Sequence, residues 1–239
     1  MRCLRVRYTK LGKIRFIGHR DVARIWERTL RKANIPVLYS QGFSPHPRIS
    51  FGLALPTGFQ SEAEYLDIYL GEDFFLDGFD SRSIQENIDN SLPTGMNVLA
   101  VGIISTSEDS LQETVDACVW EVRVSDISVE EFKKIRKKLL TSKSLNLQRE
   151  RKGKISIEDV RSQVHSMEIT EEHVDGVTIL TELGTKPRVL RPTDLLKRIN
   201  SELRTISVLR KEQLTLQGNQ RIEPLSIGLY PAAPAEVLA

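Results

Sequence analysis

Two histidines, His19 and His46, stand some 27 residues apart in the most basic part of the chain, and each has an arginine close behind it. One imidazole can take a proton from a ribose 2′-OH while a second returns one to the leaving oxygen. His19 and His46 are therefore the candidate catalytic residues, and the chemistry would be metal-independent RNA cleavage. Nothing in the spacing makes them meet: His19 opens a helix, and Pro45 and Pro47 brace His46 in extended geometry. Capping of the helix by His19 explains that residue equally well, so the expectation leans toward a binder without catalysis. His165 and His173 lie in acid-flanked segments without ligand spacing. The sequence has no CxxC, HxxxH, GxGxxG or Walker loop, so neither metal nor cofactor is expected.

The loop that carries His46 reads YSQGFSPHPRISFG over residues 39–52, with two Gly, two Pro, three aromatics and no acid. Tyr39 and Phe43 could stack on unpaired bases, with Gln41, His46 and Arg48 reading or gripping what they stack on. The competing use of the same residues is a lid, with Tyr39 and Phe43 covering one edge of a sheet. Upstream, at about 100° per residue, Val22, Ile25, Trp26, Thr29 and Ala33 share one helix face. Arg20, Arg24, Arg28 and Arg31 share another, with Glu27 as the one acid among them. Solvated faces usually mix signs, so this stripe is read as phosphate-tracking and RNA-binding.

The elements that must hold these residues follow from hydrophobic period. Cys3 to Tyr8 alternates as a strand does, and Ile14 to Ile17 reads as a second short one. A helix is expected from about Arg20 to Ala33, then strands near Val37, at Arg48 to Leu53 and at Tyr65 to Leu70. Ser83 to Ser91 reads as a helix and Met96 to Ile104 as a buried strand. That order is ferredoxin-like. Polar residues 105–114 read as a linker. Beyond it come strand Ala117 to Val124, helix Val129 to Leu140 capped by Ser128, and strand Leu145 to Arg151. Strand Val177 to Leu183, helix Pro192 to Leu203 and strand Ser207 to Leu216 complete the set. The expected fold is α+β with two tandem ferredoxin-like (βαββαβ) halves, 1–104 and 115–217, and an irregular tail from 218 to 239.

Charge supports the basic-face reading. Residues 1–50 carry twelve Lys/Arg against two acids, while residues 51–100 carry Arg82 against nine acids. A second basic cluster, Lys133 to Lys154, sets ten Lys/Arg against Glu150. A charged N-terminus and apolar runs no longer than Val98 to Ile104 argue against a signal peptide or membrane span. Two cysteines in apolar surroundings, Cys3 and Cys118, suggest core thiols and a cytoplasmic location.

The segment RVRYTKLGKIRFIGHRDVARIWERTLRKANIPVLYSQGFSPHPRISFGLALPTGFQSEAEYLDI resembles the uncharacterised radical-SAM-linked protein family. The likeness is dense over residues 5–70 and looser to about residue 213. Gly18 stands where that family usually has Ser, Arg20 where Leu is common, and Ser44 in place of Asn. The resemblance implies a radical SAM protein as partner. With no three-cysteine cluster motif, this chain would be its accessory. At the level of fold alone, the element order is also distantly similar to CRISPR repeat-processing endoribonucleases.

Three functions compete on these residues. The first is an RNA-binding accessory protein that presents structured RNA to a radical SAM modification enzyme. The second is a protein-interaction module that docks such an enzyme through the loop and the acidic 62–89 stretch, without RNA. The third is an endoribonuclease using His19 and His46.

Overall fold

The structure, a computed structural model, describes residues 2–75, 80–105, 110–151, 153–218 and 220–226. In chain order its elements are β1 (Arg2–Lys10), α1 (His19–Lys32), β2 (Ile49–Phe51), β3 (Gln60–Tyr69), α2 (Ser81–Asp89) and β4 (Val98–Ser105). They continue with α3 (Leu111–Thr114), β5 (Ala117–Ser125), α4 (Val129–Thr141), β6 (Asn146–Arg151), β7 (Lys154–Asp159) and β8 (Val164–His173). β9 (Gly176–Gly184), α5 (Pro192–Ile199), β10 (Arg204–Gln217) and β11 (Gln220–Ile222) complete them. The architecture is α+β.

A large mixed sheet runs β4-β1-β3-β10-β5-β9-β8, with β2 added to β3 and β11 to β10. The first half contributes β4-β1-β3-β2 and the second β10-β5-β9-β8, all paired antiparallel within each half. Counted within its own half, each set has its fourth strand at one side, then first, third and second. A parallel contact joins the halves, Leu209 and Arg210 of β10 lying against Gln60 and Ser61 of β3. β6 and β7 form a separate hairpin.

Each half has its own core. Leu4, Val6, Tyr8, Val22, Trp26, Leu66, Ile68 and Ile88 form one, and Trp120, Val122, Phe132, Val177, Ile179 and Leu195 belong to the other. The amphipathic period put these residues on inward faces. α4 starts where Ser128 and Glu131 close a reciprocal capping box, which matches the expected N-cap.

Several elements depart from the sequence expectation. Ile14 to Ile17 forms no strand. Gly12–Phe16 is a short 3-10 turn, held where the Leu11 amide donates to the Gly95 carbonyl. Val37 makes a single bridge to Leu70. β7 and β8 were not anticipated, because their faces mix acids with β-branched residues and lack a clean apolar side. α5 stops at Ile199, before the expected Leu203.

In the 105–114 stretch, Ser105 still belongs to β4 and Leu111 is buried against Ala63 and Tyr65. Positions 106–109 lie outside the described residues. The tail from 218 is partly ordered. β11 pairs with β10, Pro224 accepts from Arg5, and residues 227–239 lie outside the described residues.

Candidate functional site

α1 turns its faces as the sequence requires. Val22, Trp26, Thr29 and Leu30 are buried, with the Trp26 ring edge-on to Tyr8 at 4.8 Å. Arg20, Arg24, Arg28 and Arg31 are all exposed. Arg24 reaches Asp21 at 3.5 Å, and Arg28 Nε donates to the Arg24 carbonyl at 3.3 Å. The guanidinium groups of Arg20 and Arg31 make neither a hydrogen bond nor an ion pair among the described residues.

The 39–48 segment is a hairpin with a firmly tied base. The Arg48 amide donates to the Leu38 carbonyl at 2.7 Å, and Leu38 and Arg48 exchange bonds with Tyr69 at 2.8 and 3.0 Å. Tyr39 bridges Pro47. Above them the Ser40 amide donates to the His46 carbonyl, and the His46 amide returns a bond to Ser40 Oγ. Gly42 turns the tip at φ +136°, a conformation side-chain-bearing residues rarely adopt. Phe43 is fully exposed there and Tyr39 is 53% exposed. Phe43 is therefore no lid over the sheet. Gln41 and His46 are exposed too, and the Arg48 guanidinium lies 5.0 Å over the Tyr69 ring.

The histidines are not brought together. His19 stacks edge-on against Phe51, ring centroids 5.0 Å apart. His46 precedes Phe51 by five residues of nearly extended chain, roughly 16 Å at strand spacing. The cleft beside His19, lined in part by Lys10, Phe51, Leu53 and Glu64, has a volume of about 20 Å³. That is room for one water and not for a nucleotide. His165 faces Glu182 at 2.8 Å and His173 faces Thr178 at 2.8 Å, both on β8 and β9. Among the described residues no group of three or more His, Cys, Asp or Glu could hold a metal.

The acidic stretch after residue 60 has an internal use. Glu62 pairs with Lys211 at 2.6 Å, and Asp67 holds Arg5 through two bonds of 2.7 and 2.8 Å. Glu64 pairs with Arg210, which also donates to the Leu53 carbonyl at 2.9 Å and lies against the Trp120 ring. Glu223 accepts from Arg7 at 2.9 Å and from the Tyr65 hydroxyl at 3.0 Å. Burial alone would lower the Arg5 and Arg210 guanidinium pKa values, but Asp67 and Glu64 outweigh it and raise them. Burial also lowers the Lys10 ammonium, which donates to the Ile17 carbonyl at 2.9 Å. Of the first-half cations Arg5 and Lys10 are thus internal, and the exposed ones are concentrated on α1.

Sequence reasoning passed over Phe16. It is 61% exposed, with the Arg15 guanidinium 4.5 Å over its ring. The Arg-Phe dipeptide was its only signal, and it was absorbed into the expected strand.

Among the described residues no helix is long and apolar enough to cross a membrane. A family model described as "Uncharacterized protein conserved in bacteria (DUF2344)" matches residues 3–192. No curated protein matches the chain. Among solved structures, the archaeal box H/ACA sRNP Nop10-Cbf5 complex aligns with a TM-score of 0.45 at 8% identity. The alignment covers 87% of this chain and 46% of that one, so this chain spans less than half its length.

Proposed function

The chain belongs to the bacterial DUF2344 family, and from that premise we propose that it is an RNA-binding accessory protein of a radical SAM enzyme, acting in RNA modification. One observation carries the reading. Phe43 stands fully exposed on a hairpin whose base is hydrogen-bonded to β3, an aromatic platform that covers nothing of its own fold. Exposed rings beside exposed guanidinium groups are what unstacked bases and their phosphates require. Arg20, Arg24, Arg28, Arg31 and Arg48 supply the electrostatic part, and Tyr39, Phe43, Gln41 and His46 the contacts to bases.

The radical SAM partner rests on the resemblance over residues 5–70. The chain's two cysteines, both buried, do not match that enzyme class's three-cysteine cluster motif, so the cluster belongs to the partner. Those reduced thiols also favour the cytoplasm. The shared strand order of the two halves supports reading them as tandem ferredoxin-like units, 1–104 and 115–217.

A docking module without RNA is the second reading, because an exposed aromatic anchor also suits a protein interface. Three of the nine carboxylates in that stretch are committed elsewhere, Glu62 to Lys211, Glu64 to Arg210 and Asp67 to Arg5. The endoribonuclease reading would need His19 and His46 near one phosphate, and their contacts hold them at opposite ends of one extended segment.

Incubating the purified chain with structured and single-stranded RNAs in EDTA separates all three. Retained RNA without cleavage supports the accessory role. Discrete cleavage to 2′,3′-cyclic phosphate, lost in His19→Ala and in His46→Ala, would establish the nuclease. No RNA binding at low salt, with a radical SAM protein co-purifying, would establish the docking module.

A further inference from the structure

A second basic surface lies on the other half of the molecule. A groove of about 710 Å³ runs between the β6–β7 hairpin and α5, lined by Arg149, Arg188, Arg191, Lys197 and Arg198, with Asp194 as the one acid among the described residues of its wall. Leu147 and Gln148 of β6 complete the lining. Three of the cations are fixed by other groups. Glu158 accepts from Arg188 at 3.1 Å and faces Arg149 at 3.5 Å, and Arg198 Nε donates to the Asn146 carbonyl. Arg191 and Lys197 are exposed, and their side chains make neither a hydrogen bond nor an ion pair among the described residues.

We propose that this groove is a phosphate-binding site that holds the backbone of the same RNA strand, extending the footprint beyond α1 and the loop. The volume falls in the range of built ligand sites. Among the described residues its lining contains no aromatic ring for a base to stack on. Fixed guanidinium forks match phosphate oxygens bidentately, and two free cations supply counter-charge on entry. The site therefore grips without reading sequence. This deepens the RNA reading, yet the groove can also be tested without it, because inorganic triphosphate presents the same chemistry.

The test is the double variant Arg191→Gln with Lys197→Gln, both exposed positions, titrated with single-stranded oligouridylate and separately with inorganic triphosphate. The log–log salt slope for RNA should fall by about 1.4 units against the parent, while the loss caused by Phe43→Ala stays the same in both backgrounds. Triphosphate binding that disappears in the double variant, with no RNA binding by the parent, would keep the groove as a site for free phosphates and sink the RNA reading. RNA binding with an unchanged slope, or triphosphate binding indifferent to the double variant, would overturn the groove and leave the RNA reading standing. Polyglutamate competing as well as RNA, through the same two residues, would overturn it as a phosphate site.

Discussion

The guanidinium of Arg210, on β10, is paired with the carboxylate of Glu64, on β3, across 146 residues of chain and at the seam between the two halves. The two residues are 1% and 7% exposed. Its neighbour Lys211 pairs with Glu62 along the same two strands, but with about a third of each side chain in water.

That contrast makes a stability prediction. Arg210→Met leaves a buried carboxylate unpaired and should cost about 3–5 kcal/mol in urea denaturation. Lys211→Ala, one residue along, breaks an ion pair open to solvent and should cost less than about 1 kcal/mol. Equal costs would mean that burial at the seam contributes nothing special.

Tyr39→Ala and Phe43→Ala should each weaken binding to looped or single-stranded RNA by about 1–3 kcal/mol. The loss with a plain duplex should be small. Since Phe43 supports nothing in the fold, Phe43→Ala should leave the melting temperature unchanged. A lower melting temperature with binding per folded molecule intact would return the loop to a structural role.

How much of this was legible in advance depends on the range of the forces involved. α1 was readable because both of its faces are written at a period of 3.6 residues, and Trp26 and Arg24 need no distant partner to declare their sides. The loop was readable from Gly42, Pro45 and Pro47, whose backbone restrictions are local. Arg210 was not. Its role depends on Glu64, a strand pairing that no local pattern encodes, and the carboxylates after residue 60 looked like a free acidic surface for the same reason. The basic groove was hidden too, since Arg149 and Arg191 sit on separate elements that only the fold brings together.

Arg24→Glu combined with Arg28→Glu should lower the log–log salt slope of RNA binding by about two units or more. Both positions are exposed, so folding stability should move by no more than about 0.5 kcal/mol. Unchanged RNA binding, with loss of a radical SAM partner instead, would favour protein docking.

The thiols carry a pH prediction. Burial pushes Cys3 up to about 12, helped by the charge of Asp67, and burial pushes Cys118 up to about 11. A raised thiol pKa means that the folded state keeps protons which the unfolded chain releases. The associated stability is complete below pH 9.0 and is lost as pH rises from there through the folded values. Below pH 9.0 a thiol-specific disulfide reagent should therefore label neither cysteine until urea unfolds the chain. Rapid labelling of the folded protein would show that one of the two strands opens locally.

The seam also sets an order of events during synthesis. Glu64 leaves the ribosome 146 residues before Arg210, roughly 7–30 seconds at ordinary elongation rates. Over that interval Glu64 lacks its guanidinium partner, and Gln60 and Ser61 lack the strand they later lie against. Arg5, already beside Asp67, must wait still longer for the Pro224 carbonyl. A nascent chain stalled before β10 would hold a nearly complete first half with Glu64 short of its guanidinium partner at the open edge, a natural substrate for chaperones.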